Sequence, residues 1–270
     1  MNYRHAYHAG NFADCMKHAL LVALLRALQN KPKPLLVLDT HAGIGMYDLT
    51  GDEATRTGEW RAGIAPLLAA RPPALADYLS FIDRLGLYPG SPALAAALLR
   101  PDDRLIACEL HPQDAATLRG HFTGTPQVAV HRRDGYEALR AFLPPPERRA
   151  LILIDPPYEA PDEFGALAQA LIAAHGKFPS GLYCAWYPIK HRAPVRAFFE
   201  TLTSAGLRDI VAAEFLRRPP LDPAALNGCG LAIINPPYGF AAVATPILNT
   251  LCALLGEAGA SAGVTVIADE

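Results

Sequence analysis

The chain is poor in the features that would place it outside the cell, across a membrane or against an acidic partner. Five cysteines stand among 270 residues, at positions 15, 108, 184, 229 and 252, odd in number and without a CxxC spacing. That pattern fits a reducing compartment better than a disulfide framework, with the thiols expected to serve as small buried hydrophobes. Long apolar runs are also missing: LLVALLRAL at 20–28 is broken by Arg26, and a membrane span needs about 18 or more uninterrupted apolar residues. Met1–Asn11 carries no signal-peptide core, so a cytoplasmic protein is expected. Nor is there an excess of positive charge. With 24 Lys and Arg against 26 Asp and Glu, the net charge is -2, so any nucleic-acid partner has to be held by local patches rather than by general basicity. Such patches occur at Arg4, His5, His8, Lys17 and His18, and again at Arg132-Arg133, Arg148-Arg149, Lys190-His191-Arg192 and Arg217-Arg218. The later groups read as solvated surface; the N-terminal cluster is the unusual one.

Hydrophobic material is plentiful, at 51% of residues, and it is arranged in short runs. LLVLDTHAG, RLIACELHP, VAVHRRDG, LILIDPPY, GLYCAWYPI, RDIVAAEFL and LAIINPPYG follow one another from residue 35, mostly separated by helix-sized stretches. Seven such runs predict an α/β fold built on a seven-stranded, mostly parallel sheet. Sheets of this kind bind ligands beyond the carboxyl ends of their strands. That is where Asp39, His41 and Gly43, then Glu109, then Asp134 and Gly135, then Asp155 stand, so the four groups are expected to share one crevice. The loop after the first run is DTHAGIG, with a histidine in place of a glycine, and cannot be read from the generic GxGxxG fingerprint.

Glu109 lies 66 residues beyond Gly43, whereas the acid closing the second strand of a nucleotide-binding unit usually lies about 20 residues on. Residues 46–90 therefore read as an inserted helical subdomain, with helical patterns in WRAGIAPLLAA and ALADYLSFIDRLG separated by Arg71-Pro72-Pro73. Trp60, Tyr78 and Phe81 would form its small core. Residues 1–45 and 91–270 make up the main domain. After the insertion, Ser91-Pro92 reads as a helix N-cap and first-turn proline, whose helix N-terminus could take a carboxylate or hydroxyl.

Two tetrads invite comparison, DPPY at 155–158 and NPPY at 235–238. A planar exocyclic amine on a base is a poor nucleophile, because its lone pair is delocalised into the ring, and a site that alkylates it must accept its hydrogen bonds. An Asp or Asn oxygen and the carbonyl of the next proline can do so, the proline pair holding that carbonyl rigidly and adding no competing N–H. The tyrosine offers a face to the base, worth about 1–3 kcal/mol by stacking. Position favours the first copy, since Asp155 follows the glycine loop, Glu109 and Asp134. No such set recurs before Asn235, which reads as a strand terminator.

Taken together, YRHAYHAGNFADCMKH at 3–18, LDTHAG at 38–43, YPGSP at 88–92, ELHP at 109–112, DG at 134–135 and LILIDPPYE at 151–159 resemble the J-type family of bacterial 23S ribosomal RNA adenine-N6 methyltransferases, from residue 3 to about 238. The resemblance implies a Rossmann-like class I methyltransferase domain using S-adenosyl-L-methionine. In the same way it implies that Asp155 faces the target amine, Pro156 lends its carbonyl and Tyr158 stacks on the adenine. Lys17, His18, His41, Gly43 and Ser91 would lie on the cofactor, the histidines and Ser91 at its methionine part. Glu109 would take the ribose hydroxyls and Asp134-Gly135 the adenine, with Asp155 also at the cofactor's edge. Tyr3 and His5 would form a substrate cap, within about residues 1–18, over the RNA.

Several readings compete with these. His5, His8, Cys15 and His18 have the spacing H-x2-H-x6-C-x2-H of a metal site, although Lys17 beside them opposes a dication, and no metal is expected. His41 could be a loop histidine with one backbone bond, Ser91 could serve only its helix, and Glu109 and Asp134 could be helix caps. Related tetrads occur in enzymes acting on guanine N2, DNA adenine or a protein glutamine. The expected partner is 23S rRNA, naked or in an early assembly particle, held through few phosphates and so with a shallow salt dependence. A monomer is expected, because no exposed apolar heptad stripe is visible.

Overall fold

The computed structural model describes residues 4–269. Among these described residues ten strands occur: β1 (Leu36–Asp39), β2 (Met46–Tyr47), β3 (Tyr88–Pro89), β4 (Arg104–Glu109), β5 (Val128–Arg132), β6 (Ala150–Ile154), β7 (Leu182–Ile189), β8 (Ile210–Leu216), β9 (Gly228–Ile234) and β10 (Ser261–Ala268). Eight of them form one sheet in the order β10-β8-β9-β7-β6-β1-β4-β5. Adjacent strands from β5 through β4, β1 and β6 to β7 are parallel, whereas β9 is antiparallel to both β7 and β8, and β10 is antiparallel to β8. All seven expected runs are strands. The eighth, β10, corrects the expected count: SAGVTVIA is a partly exposed edge strand, and its small residues blur the apolar signal that marks the others.

The helices are α1 (Phe12–Gln29), α2 (Asp52–Thr57), α3 (Ile64–Ala70), α4 (Ala76–Leu85), α5 (Ser91–Leu98), α6 (Pro112–His121), α7 (Gly135–Phe142), α8 (Glu163–Lys177), α9 (Arg192–Ser204) and α10 (Phe240–Leu255). Side chains alternate across the sheet, and both faces are covered, which is why its strands read as continuous apolar runs. Val37, Leu151 and Leu153 point to the side of α1, α5 and α10; Leu36, Leu38, Ile152 and Ile154 point to the side of α7, α8 and α9. Helix α1 is buried nearly all round from Phe12 to Leu25. It starts at Asn11, whose side chain accepts from the Asp14 N–H at 2.9 Å, as an N-cap should.

Residues 46–90 leave and return through the β2–β3 ladder, pairing Met46 with Pro89 and Tyr47 with Tyr88. Arg71, in the left-handed region with φ 47°, ends α3 at the expected break. The segment does not close around a core of its own. Ile64, Leu67, Tyr78 and Phe81 belong to the same apolar cluster as α1, with Trp60 packed at its edge, and the Ile64 N–H donates to the Gly10 carbonyl at 2.9 Å.

The chain goes from β1 to β4 and β5 on one side, then crosses to β6 and beyond on the other. The order reverses beside β1, and a crevice opens at such a switch point. Asn235 lies at the other end of the sheet. Because β9 is antiparallel, Ile234 pairs with Tyr183 near the start of β7, whereas Ile154 pairs with Ala185 farther along it, and Asp155 follows at the carboxyl ends.

Candidate active site

A cleft of about 850 Å³ opens over the carboxyl ends of β1, β4 and β6, and every described residue of the expected site lines it: His5, Lys17, His18, His41, Gly43, Ser91, Glu109, Asp134, Gly135, Asp155, Pro156 and Tyr158. Tyr3 lies outside the described residues.

At its centre is an ion pair. Lys17 Nζ donates to Asp155 Oδ2 at 2.5 Å and stands 3.0 Å from Asp14 Oδ1. Burial opposes the charge on Lys17, but Asp14 and Asp155 outweigh it and hold the ammonium well above the ordinary lysine range. Asp14 is equally enclosed. Burial would raise its carboxyl, yet the hydrogen-bonded His5 and the Lys17 ammonium hold it well below the usual carboxylate range. Its Oδ2 meets His5 Nε2 at 2.9 Å and accepts from the Gly10 N–H at 3.0 Å. Asp14 thus joins the N-terminal segment to the Lys17–Asp155 pair, a role that reading it as an ordinary helix-start acid would miss. The i, i+3 spacing of Asp14 and Lys17 is the signal that could have found it.

His18 is buried and neutral, burial lowering it to about 3. Its Nδ1 meets the Tyr88 hydroxyl at 3.0 Å, which in turn meets that of Tyr78 at 3.0 Å. Ser91 is the first residue of α5 and Gly90 the cap, so the expected N-cap role of Ser91 is corrected by one position. Freed from capping, the Ser91 hydroxyl donates to Asp39 Oδ2 at 2.6 Å. Burial raises the Asp39 carboxyl to about 7.

On the far side of β1, Thr40 Oγ1 donates to the Leu153 carbonyl at 2.9 Å and so accepts from His41 Nδ1 at 2.8 Å. This assigns the histidine tautomer with Nε2 as acceptor, and burial lowers the ring to about 4. Gly135 is required by close approach. A Cβ there would lie 2.6 Å from His41 Nε2 and from the Thr40 carbonyl.

Glu109 spreads its carboxylate over two backbone donors, His111 N–H at 2.7 Å and Gly43 N–H at 3.0 Å, one on each oxygen. Each oxygen keeps a lone pair for a hydroxyl. Asp134 caps α7 through Oδ1 alone, accepting from the Tyr136 and Glu137 N–H groups at 3.0 Å each. Its cap role and a ligand role for Oδ2 are therefore compatible. Two acceptors at the ends of adjacent strands, beside glycines that admit no side chain, fit the ribose and adenine of an adenosine-bearing cofactor.

Tyr158 adopts φ 52°, and its hydroxyl donates to the Trp186 carbonyl at 2.9 Å. Phe164 and Trp186 meet its ring edgewise, with centroids 5.1 and 5.7 Å away. The N-terminal His/Cys residues do not converge. His5 faces Asp14, His8 Nδ1 meets Glu59 at 2.8 Å, Cys15 Sγ lies 3.8 Å from the Gly10 carbonyl and His18 faces Tyr88. Lys190, Arg217 and Arg218, expected as solvated surface, line the cleft instead.

At the far end of the sheet, Asn235 Nδ2 donates to the Pro179 and Gly181 carbonyls at 2.7 Å each, and Tyr238 is fully exposed. The NPPY tetrad ends a strand, outside the cleft.

A family model described as ribosomal RNA large subunit methyltransferase D, RlmJ, matches residues 32–267. Proteins named ribosomal RNA large subunit methyltransferase J from Escherichia coli K12 and Haemophilus influenzae are each 38% identical to the chain. The first match covers 96% of this chain and 95% of the relative, the second 88% of each. A crystal structure of a protein from Legionella pneumophila is 39% identical over 96% of this chain and 98% of its own, with a TM-score of 0.89. A probable spermidine synthase from Corynebacterium glutamicum, 16% identical with a TM-score of 0.53 over 94% of this chain and 75% of its own, shares the fold. The order of motifs, the cleft they form and these matches along nearly the whole length lead to one assignment: the chain belongs to the ribosomal RNA large subunit methyltransferase J family.

Proposed function

We propose that this enzyme transfers the methyl group of S-adenosylmethionine to the exocyclic N6 amine of a single adenine in 23S ribosomal RNA. The observation that carries the reading is the convergence of Asp155 and Pro156 with Glu109, Asp134 and the Gly43 loop in one cleft. When bound, the cofactor supplies an electrophilic methyl on a sulfonium. Glu109 would hold its ribose, Asp134 and Gly135 its adenine, and His41 and Ser91 its amino-acid end.

The chain's own residues orient the acceptor. Lys17 occupies Oδ2 of Asp155, which leaves Oδ1 and the Pro156 carbonyl to accept the two amine hydrogens and turn the nitrogen lone pair toward the methyl. Extracting the base from its stack costs a few kcal/mol, and stacking on the Tyr158 face would offset part of that. A strong base is unnecessary, because the amine loses its proton readily once methylation makes it cationic. Asp155 acts by orientation and charge stabilisation. The enzyme would work in the cytoplasm as a monomer, on naked RNA or an early assembly particle.

Asp155→Ala tests the assignment. Turnover is expected to fall by about 100-fold or more while cofactor affinity stays within about tenfold; near-normal turnover would remove Asp155 from the site.

A further inference from the structure

Four basic groups after the N-terminal cluster look alike in sequence but have different places in the fold. Arg149 lies at the amino-terminal edge of the sheet, donating to the Leu28 and Lys33 carbonyls at 2.7 and 2.8 Å. Arg133 lies 4.0 Å from Glu137, and Arg192 binds Glu214 at 2.6 Å. Only Lys190, Arg217 and Arg218 face the cleft.

Strand register fixes where. Ile189 and Leu216 both pair with Gly228 from opposite sides of β9, so Lys190 and Arg217 emerge at one level, flanking that strand, one residue later. Asp155 follows Ile154, which pairs with Ala185. Lys190 therefore stands four residues beyond the level of Asp155, about 13 Å higher at about 3.3 Å per residue. The cations form an upper rim, set back from the catalytic floor by more than the depth of one base.

The charges on this rim are only partly neutralised. One carboxylate, Glu257, serves both arginines, lying 3.2 Å from Arg217 Nε and 3.4 Å from Arg218 Nε. Among the described residues no carboxylate pairs with Lys190, which is exposed. On the opposite wall Arg4 is matched by two acids, Glu53 at 3.2 Å and Asp114 at 3.4 Å. Among the described cations that line the cleft, charge in excess of its local acids thus lies at the β7–β8 end. Between it and Asp155 lie Trp186, Pro188 and Tyr158, apolar surface suited to a base or sugar.

We infer that Lys190, Arg217 and Arg218 form a phosphodiester-binding rim that carries the RNA backbone past the cleft while the target base reaches down to Asp155, with Glu257 as an internal competitor for the arginines. The inference rests on the proposed RNA substrate and adds the direction from which the strand enters. Arg217 also stands over the Phe12 ring at 5.5 Å, so the exposed Lys190 and the half-buried Arg218 are the better probes.

The test is filter binding of protein-free 23S transcript across a salt series, with KM for RNA and for S-adenosylmethionine on the same proteins. Lys190→Ala with Arg218→Ala should weaken RNA binding several-fold, leave the cofactor KM unchanged, and flatten the plot of log affinity against log salt by about 0.7 per lost contact. Glu257→Gln should act oppositely, tightening RNA binding and steepening the slope. Wild-type affinity and slope in both variants would overturn the rim. If wild type binds RNA with this dependence but forms no N6-methyladenosine, the rim stands and the proposed reaction falls.

Discussion

At the scale of single residues, the site depends on how buried charges are matched. Lys17 and Asp14 sit away from water as members of one network, whereas Asp39 has, among the described residues, only the Ser91 hydroxyl and the His41 N–H as hydrogen-bond partners. Its carboxyl is raised from 3.8 to about 7 by burial. A raised folded-state value favours folding below the unfolded value, and that contribution is lost as pH rises through about 7. Asp39→Asn should therefore gain in melting temperature relative to wild type as pH goes from 5 to 8; a constant difference would contradict the assigned shift. His18 and His41, lowered to about 3 and about 4, act in the opposite sense. Their contribution is present above pH 6.5 and lost as pH falls, so the difference between variant and wild type isolates Asp39. Most of the site was legible as acids and glycines beyond apolar runs. Asp14 and the Tyr88 hydroxyl were not, because the i, i+3 spacing of Asp14 and Lys17 marks a pair without showing that it is buried. Lys17 was read as a cofactor contact, while its bond to Asp155 crosses 138 residues.

At the scale of elements, two close approaches hold the cleft open. Gly135 lets α7 start against His41, and Gly63 lets the inserted segment dock on the N-terminal turn. A Cβ at Gly63 would lie 2.7 Å from the Asn11 backbone carbon and still closer to the Gly10 carbonyl. Gly63→Ala should cost about 1–3 kcal/mol and lower the melting temperature, with unchanged melting showing that the segment does not dock there. The NPPY turn makes the converse case. Asn235 takes φ 57° and satisfies two carbonyls, so Asn235→Ala should lose about 1–2 kcal/mol of stability while turnover persists. The strands were legible because both faces of the sheet are buried. β10 and the shared core of residues 46–90 were not, since an exposed edge and a docking partner leave no periodic mark.

Across the whole molecule, the topology explains why two identical-looking devices differ. The parallel β6 delivers DPPY to the switch point, and the antiparallel β9 delivers NPPY to the other end. Sequence order alone cannot show a strand's direction, although the missing upstream acids pointed to the same distinction. With a net charge of -2, attraction to RNA has to be local. Three rim cations at about 0.7 each give a salt slope near -2, and a slope near that of a ten-phosphate binder would show that RNA is held elsewhere as well. Among the described residues no helix is long and apolar enough to cross a membrane.

The most direct test is methyl transfer from labelled S-adenosylmethionine to protein-free 23S RNA, followed by nucleoside digestion and mass analysis, on wild type, Asp155→Ala and Asn235→Ala. Label in N6-methyladenosine that disappears with Asp155→Ala and survives Asn235→Ala is the predicted result. Label in another nucleoside, or equal loss in both variants, would contradict a single adenine-modifying site at Asp155.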